Sequence, residues 1–441
     1  MYKNITDCRH IQPKQAWRSE ATGENNEEVA DDTDQKSDKI FSSFKYVNII
    51  SIFFGVMPVC AEAGLGKNKY HPLGYMFTFL YKVICVYFCI RPIVFISNFN
   101  EERDLMTDWI WKLDKFHYTF MLSNITTLTI LLIHTNKISK LNDVIGEIHS
   151  VDIALISHDI ISRQELKFLK YREVKYFILV IISCIVLILG SSMIMTHKYY
   201  ADNPIKIVVI IQDFTHMCAF CVELQFHALV IMVKHRFCLV NNELIKILHY
   251  LPALSIVQPE MYRHEPYVRY KMYTVHSRLH TLTHIHNMLM IACMKSNKLF
   301  QFQILLDMFN TCVFLLVDIY AFMFQLLYTD MSWFDMFNIW PIHHTLKLIL
   351  IAYSGQVVKE NIYHTKDILA VASISTSEVG ATIQYFIQNE IEAYLMVLNN
   401  NKFNQISLCR VIAVDLTMLL RIINGTCTYV LIMLQYRWNV F

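Results

Sequence analysis

Glycine and proline are scarce in this sequence, with 10 and 9 residues among 441. Charged residues make up only 17% of the chain and hydrophobic residues 54%, a balance that excludes an ordinary soluble protein. The formal net charge of +2 and the lack of a compact basic patch exclude a nucleic-acid partner.

The familiar motifs of catalysis are also missing. The sequence has no glycine-rich phosphate loop, zinc-hydrolase motif or nucleophile elbow, so we expect no enzyme, no catalytic residues and no cofactor. The amino terminus lacks the charged, apolar and small-residue pattern of a cleaved signal peptide. Targeting is therefore expected to depend on the first membrane span.

What the sequence has instead is a series of apolar runs long enough to cross a bilayer. These runs predict an all-α membrane protein. A further run, residues 44–64, is broken by Gly55 and Pro58 and contains Glu62, so we expect it to be a re-entrant or interfacial helix. The seven predicted transmembrane helices are 73–96, 116–134, 176–195, 205–233, 302–328, 339–358 and 408–436.

Lysine and arginine concentrate in three connections between these spans, residues 135–175, 234–300 and 359–410. By the positive-inside rule, these connections are predicted to be cytoplasmic. The alternate connections, 97–115 and 329–338, are acidic and agree with this orientation. Seven spans with a cytoplasmic N-terminus place the C-terminus on the extracellular side.

The last span ends in an unusual pattern: Thr428 and Tyr429, five hydrophobic residues, then Gln435 and Tyr436. A glutamine amide finds no water in hydrocarbon, so Gln435 must face a partner, a cavity or a pore. This pattern resembles the carboxyl-terminal signature of insect gustatory receptors, which usually has Phe where this chain has Tyr436. Weaker elements of the family pattern precede it in order, at Gly55 to Pro58, at Phe237 to Leu244, and at Leu279 and His280 followed by Asn297 to Phe300.

The resemblance implies a subunit of a ligand-gated, nonselective cation channel, in which the last helices of four subunits surround a central pore. It maps the gate onto Gln435 and Tyr436. Helical spacing places Thr428 and Ile432 on the same face, and apolar rings close pores by excluding water. The alternative is that Thr428 and Gln435 bond to neighbouring helices within one subunit.

Three regions follow from this interpretation. Residues 1–43 are polar and acid-rich, and we expect a disordered cytoplasmic tail because they cannot bury enough apolar surface to offset the entropy of ordering. Residues 44–400 are predicted to hold the transmembrane ligand-binding helices and their cytoplasmic anchor extensions. Residues 401–441 are predicted to hold the pore-forming last helix.

Polar residues also occur in the predicted outer halves of the second to sixth spans. An ionisable group inside a membrane is costly unless it is paired or faces water, so a converging set predicts a ligand-binding cavity. The alternative is a structural contact in which Asp213 or Asp318 pairs with Lys347 or His216. The candidate ligand-binding residues are Tyr118, Gln212, Asp213, His216, Asp318, Gln325, His343, His344 and Lys347.

Histidines at positions 276, 280 and 284, with a fourth at 286, follow the spacing of one helix face and suggest a metal site. No cysteine or carboxylate joins them at a metal-binding spacing along the sequence. We therefore expect a partly exposed helix that packs subunits together, and no metal.

The ligand class follows from the resemblance alone. The family's sugar receptors often carry Glu directly after the Thr-Tyr pair, where this chain has Val430, so a divergent, bitter-type receptor opened by plant compounds is favoured. Sugar or carbon dioxide sensing stays an alternative. The implied partners are a small-molecule tastant, membrane lipid, permeating cations, and further subunits in a homotetramer or a heteromer with other gustatory receptors. The implied location is the cell membrane of chemosensory neurons.

Two hypotheses come from other classes. A G-protein-coupled-type receptor needs the opposite orientation, which the loop charges disfavour. A membrane transporter typically has paired broken helices in two related halves, and we find no such pair in the sequence.

Overall fold

The computed structural model of the chain describes isolated positions between residues 47 and 90 and then residues 122–134, 137–198, 203–249, 266–328, 339–376, 381–400 and 405–438. Nearly all of these residues are helical. The helices in this part of the chain are α1 (Leu122–His134), α2 (Ile138–Ser157), α3 (Arg163–Lys198), α4 (Asn203–His249), α5 (Pro266–Tyr328), α6 (Ile339–Thr376), α7 (Ala381–Asn400) and α8 (Leu416–Trp438).

The helices follow the predicted spans closely. Helices α3, α4, α5 and α6 contain the third to sixth spans, and the described positions between 79 and 90 of the first span are helical. Helix α1 covers residues 122–134 of the second span, and α8 covers the last span from Leu416 onward. Within the described residues, three stretches are long and apolar enough to cross a membrane: His216–His249, Tyr273–Tyr320 and Leu416–Gln435.

The three connections predicted to be cytoplasmic are largely helical where they are described. Helix α4 continues past its predicted span because apolar residues recur at helical spacing, and Phe237, Val240, Leu244 and Ile247 are all buried. Helices α5 and α6 extend in the same way, while α2 and α7 lie wholly within the predicted connections. The long helices therefore form a second bundle next to the predicted membrane part.

Helix α4 is the centre of the molecule. Every residue from His216 to Val233 is buried, as expected for a helix surrounded by others. Helices α3, α5 and α6 pack around it. His216 contacts His344 and His227 contacts Ser354, so α4 and α6 run parallel. Phe314 contacts His344 and Asp307 contacts Lys347, so α5 runs antiparallel to α6.

The prediction that the last helix begins at Leu408 is wrong. Strands β1 (Ser407–Leu408) and β2 (Ile412–Ala413) form a small antiparallel hairpin, and the helix begins at Leu416. The turn places Cys409 and Arg410 at positive φ. Strands of only two residues are too short to show an alternation of apolar and polar residues, so the sequence does not distinguish this hairpin from the start of a helix.

The hairpin fixes the base of α8 against α6. A Cβ at Gly355 would overlap the carbonyl oxygen of Val414, so only glycine permits this close approach. Asp415 caps α8 by accepting a hydrogen bond from the Met418 amide at 2.9 Å. Its other carboxylate oxygen accepts one from Lys359 of α6, also at 2.9 Å.

Candidate functional site

The predicted gate residues lie on α8, and those with described side chains, Thr428, Ile432 and Gln435, lie on the face that points away from the rest of the chain. Thr428 and Gln435 are exposed, and 54% of Ile432 is exposed. Tyr436 belongs to the same helix, but its side chain lies outside the described residues. The Thr428 hydroxyl donates to the carbonyl oxygen of Asn424 in its own helix at 2.8 Å.

The opposite face of α8 packs against α5 and α6. Met418, Leu419, Thr426 and Val430 are buried there. The Thr428 hydroxyl is satisfied within its own helix, but the exposed Gln435 amide of a membrane helix needs water or another protein surface, since lipid offers an amide no hydrogen bond. The orientation of α8 therefore suits a helix whose exposed side lines a polar space formed with other copies.

A shallow, mostly apolar groove runs between α5 and α8. Its volume is about 310 Å³. It is lined by Cys312, Val313 and Leu316 from α5 and by Arg421, Ile422, Gly425, Thr426 and Tyr429 from α8.

Four of the predicted ligand-binding residues converge where α4, α5 and α6 meet. The rings of His216 and His344 have centroids 5.6 Å apart, and those of His343 and His344 are 5.4 Å apart. Nε2 of His344 lies 3.8 Å from a carboxylate oxygen of Asp318. Phe314 stacks on His344, with centroids 5.1 Å apart. All five side chains are buried.

The fifth described candidate, Lys347, lies beside this group and pairs with two acids that the sequence analysis missed. Its ammonium group donates to both carboxylate oxygens of Asp307, at 3.1 and 3.2 Å, and lies 3.4 Å from Glu223. These three side chains are at most 3% exposed. Glu223 and Asp307 are ionisable residues inside predicted spans, which is the signal that could have identified them.

We call these eight residues the α4–α6 polar cluster: His216, Glu223, Asp307, Phe314, Asp318, His343, His344 and Lys347. The cluster offers imidazole and carboxylate groups for hydrogen bonds and aromatic rings for stacking, with charges that buried surroundings screen little. Such a set can orient a small polar or aromatic molecule. Part of the cluster also holds the helices together, because Lys347 of α6 forms ion pairs with Asp307 of α5 and Glu223 of α4. Among the described side chains, Lys347 pairs with Asp307 and Glu223 and not with Asp318, the partner that the alternative interpretation proposed; the side chain of Asp213 lies outside them.

Four other candidates cannot be placed in or out of this cluster. Tyr118 lies outside the described residues. Gln212 and Asp213 are in α4 and Gln325 is in α5, but their side chains lie outside the described part of the structure.

A second polar layer lies one helical turn from Glu223. The Ser354 hydroxyl donates to the carbonyl of Leu350 at 2.8 Å, so Nδ1 of His227 must donate to Ser354, at 2.7 Å. This tautomer leaves Nε2 to accept from the Tyr176 hydroxyl at 2.9 Å. Helices α3, α4 and α6 are therefore joined by one chain of hydrogen bonds.

The four histidines that follow one helix face in the sequence lie on the extension of α5. His280 contacts Glu390 of α7 at 3.1 Å, and His276 lies 3.8 Å from the same carboxylate. His286 is buried between the rings of Phe237 and Tyr394. Among the described residues, no group of three or more His, Cys, Asp or Glu is arranged to hold a metal ion.

A buried charge network joins α2, α3 and α4 in the region predicted to be cytoplasmic. Arg236 is fully buried and donates to Asp152, to Glu173 and, at 2.8 Å, to the carbonyl of Met232. Lys170 pairs with Asp152 at 2.9 Å. Burial alone raises the pKa of Asp152, but the charges of Arg236 and Lys170 outweigh it and hold that pKa below its ordinary value.

Comparisons with known proteins agree with this architecture. The family model of the 7tm Chemosensory receptor matches residues 44–439. None of the curated proteins matches the sequence. The structure of the insect olfactory receptor OR5 from Machilis hrabei is similar, with a TM-score of 0.60 and 11% identity, covering 90% of this chain and 100% of the receptor.

The structure of the same receptor in complex with eugenol is also similar. Its TM-score is 0.55 at 10% identity, with the same coverage of 90% of this chain and 100% of the receptor. Together, the family model and the two structures confirm the predicted all-α membrane fold with seven transmembrane helices.

Proposed function

The chain belongs to the 7tm chemosensory receptor family, and we propose that it is a gustatory receptor, a subunit of a ligand-gated, nonselective cation channel opened by small tastants. Bitter plant compounds are the first ligand class to test. Family membership favours this receptor over the transporter and the G-protein-coupled-type receptor considered from sequence.

The polar stripe of α8 is the observation that carries the channel proposal. Thr428 and Gln435 face away from their own subunit on a helix that is otherwise apolar enough to cross a membrane. Several copies of α8 around one axis place these groups in a shared aqueous pore, with Ile432 as an apolar ring between them. A homotetramer, or a heteromer with related receptors, supplies these copies.

The α4–α6 polar cluster is the proposed site of the tastant. Helix α6 carries His343, His344 and Lys347 in this cluster and, further along, Gly355 and Lys359 at the base of α8. A ligand that binds the open arrangement more tightly shifts the population toward it. Movement of α6 then reaches α8 through the hairpin contact and the Lys359–Asp415 ion pair.

An odour receptor is the second candidate. It is favoured by the similarity to an olfactory receptor, one of whose structures is a complex with eugenol. The ending with Thr428, Tyr429 and Gln435 favours a taste receptor, because that pattern resembles the gustatory signature.

Whole-cell recording tests the proposal. Cells that express the chain, alone or with a related receptor, are exposed to bitter plant compounds, sugars and eugenol. We expect a cation current evoked by a bitter compound, whose gating or permeation shifts in Gln435→Ala and Tyr436→Ala. If neither substitution changes the gating or permeation of the ligand-evoked current, the pore is formed by another part of the chain. A response to eugenol alone would favour the odour receptor.

A further inference from the structure

We propose that Arg421 forms a ring of positive charge at the cytoplasmic end of the pore and makes the cation current rectify inwardly. The inference rests on the proposed channel function and adds a residue that sets how cations pass through it. Arg421 lies inside the predicted last span, 408–436, and the structure places it near the start of α8.

The position of Arg421 on α8 is the first support. Arg421, Thr428 and Gln435 are spaced seven residues apart, and Gly425 and Ile432 repeat at the same interval. A repeat of seven residues keeps one face of a helix turned toward a common axis. An assembly that turns Thr428 and Gln435 toward its axis therefore also turns Arg421 toward it, about 21 Å below Gln435 at 1.5 Å per residue.

The surroundings of Arg421 are the second support. The side chain is exposed, and no carboxylate pairs with it in the part of the chain that the structure describes. Asp415, the residue directly before α8, has both carboxylate oxygens engaged, by Met418 and by Lys359. An unpaired arginine on a membrane helix normally faces water, a partner or the bilayer interface. A water-filled pore mouth meets this requirement.

The expected consequence is electrostatic. By the predicted topology, the start of α8 is cytoplasmic, so the ring lowers the cation concentration at the inner entrance. Cations leaving the cell meet this depletion as they enter the pore, whereas cations arriving from outside meet it only as they leave. Outward current is therefore reduced more than inward current, and screening by salt weakens the effect.

The alternative position for the Arg421 side chain is the groove between α5 and α8, because Arg421 lines one side of that groove. There, the guanidinium would meet a lipid phosphate and stay away from the permeation path. The register of Arg421 with Thr428 and Gln435 favours the pore, and the groove becomes an outcome of the test.

The test measures rectification in symmetrical cation solutions, as the ratio of outward to inward ligand-evoked current at equal and opposite voltages. We expect Arg421→Gln to raise this ratio at least about twofold, by removing the charge that depletes cations at the entrance. Arg421→Lys, which keeps the charge, leaves it near the original value, and high salt reduces the difference. An unchanged ratio in Arg421→Gln, beside an altered current in Gln435→Ala, overturns the ring and keeps the channel.

Cross-linking gives a version of the test that needs no current. Single substitutions Arg421→Cys, Thr428→Cys and Leu420→Cys are treated with a short bis-maleimide in membranes, with the unsubstituted chain as background. We expect new cross-linked oligomers for Arg421→Cys and Thr428→Cys, and none for Leu420→Cys, which lies about 100° away on the helix. Cross-links at Thr428→Cys alone overturn the ring, whereas none at either position contradicts the shared pore itself.

Discussion

The ammonium group of Lys347 on α6 lies 3.1 Å from a carboxylate oxygen of Asp307 on α5, and both side chains are buried. Glu223 of α4 approaches the same lysine at 3.4 Å, so one cation joins three helices. Removing one partner of a buried ion pair leaves an uncompensated charge, which generally costs more than the pair contributes.

Lys347→Met is therefore expected to destabilise the receptor by about 3–5 kcal/mol. Because Lys347 is the cation between two acids, its loss leaves two carboxylates close together. Fluorescence-detected size-exclusion chromatography of detergent extracts at rising temperature measures the loss. The triple variant Lys347→Met, Asp307→Asn, Glu223→Gln restores part of the stability, since it leaves no net charge. Equal losses in both variants would mean that packing, and not charge, makes Lys347 important.

His344→Leu is expected to raise the half-maximal concentration of an activating ligand about tenfold, the equivalent of one lost hydrogen bond of about 1.4 kcal/mol. His344 lies between Asp318, His216 and Phe314, where a bound ligand would meet it. The matched control is His364→Leu, an exposed position on the same helix. Concentration–response curves corrected for surface expression measure the effect. Identical shifts of the half-maximal concentration in the two variants would show that the α4–α6 polar cluster does not recognise the ligand.

Asp415→Ala is expected to reduce the maximal ligand-evoked current per surface receptor. The substitution removes the cap of α8, worth about 1 kcal/mol, as well as the ion pair with Lys359. Asp415→Asn keeps a capping oxygen and loses only the ion pair, so it should resemble Lys359→Met and fall between Asp415→Ala and the unchanged receptor. A normal maximal current in Asp415→Ala would show that opening does not pass through this contact.

The charge network around Arg236 predicts a dependence of stability on pH. Since the folded state holds the pKa of Asp152 below its ordinary value of about 4, its ion pairs stabilise the fold above that pH. This contribution is lost as the pH falls through the lowered pKa. Thermal unfolding in detergent should show Asp152→Asn clearly less stable than the natural chain at neutral pH, with the gap closing in acid. A gap of constant size would exclude titration of Asp152 as its cause.

Sequence alone predicts much of the membrane architecture, because hydrocarbon imposes strong rules on composition. Apolar runs located the helices, and Gln435 marked α8 as unusual, since an amide in a span demands a polar surrounding. Four candidates, His216, Asp318, His343 and His344, were predicted to meet from their place near the same ends of the spans, and the structure brings them together.

Other features depend on contacts between distant residues. The partner of Lys347 could not be chosen among several acids until the register of α5 against α6 was known. Glu390 joins His276 and His280 only through the packing of α7 on α5, more than a hundred residues further along the chain. The position of the hairpin before α8 depends on the close approach of Val414 to Gly355, and the residues around either position do not predict this contact.

The central claim is that the exposed face of α8 lines a pore formed by several copies, and cysteine accessibility along that helix tests it most directly. Cysteines are introduced one at a time at Thr428, Ile432 and Gln435 on the exposed stripe and at Thr426 and Val430 on the packed face. A hydrophilic thiol reagent is applied while the ligand holds the channel open. We predict that the three stripe positions react and alter the current, while the two packed positions do not. Equal reaction at both faces, or reaction that leaves every current unchanged, would contradict a pore lined by α8.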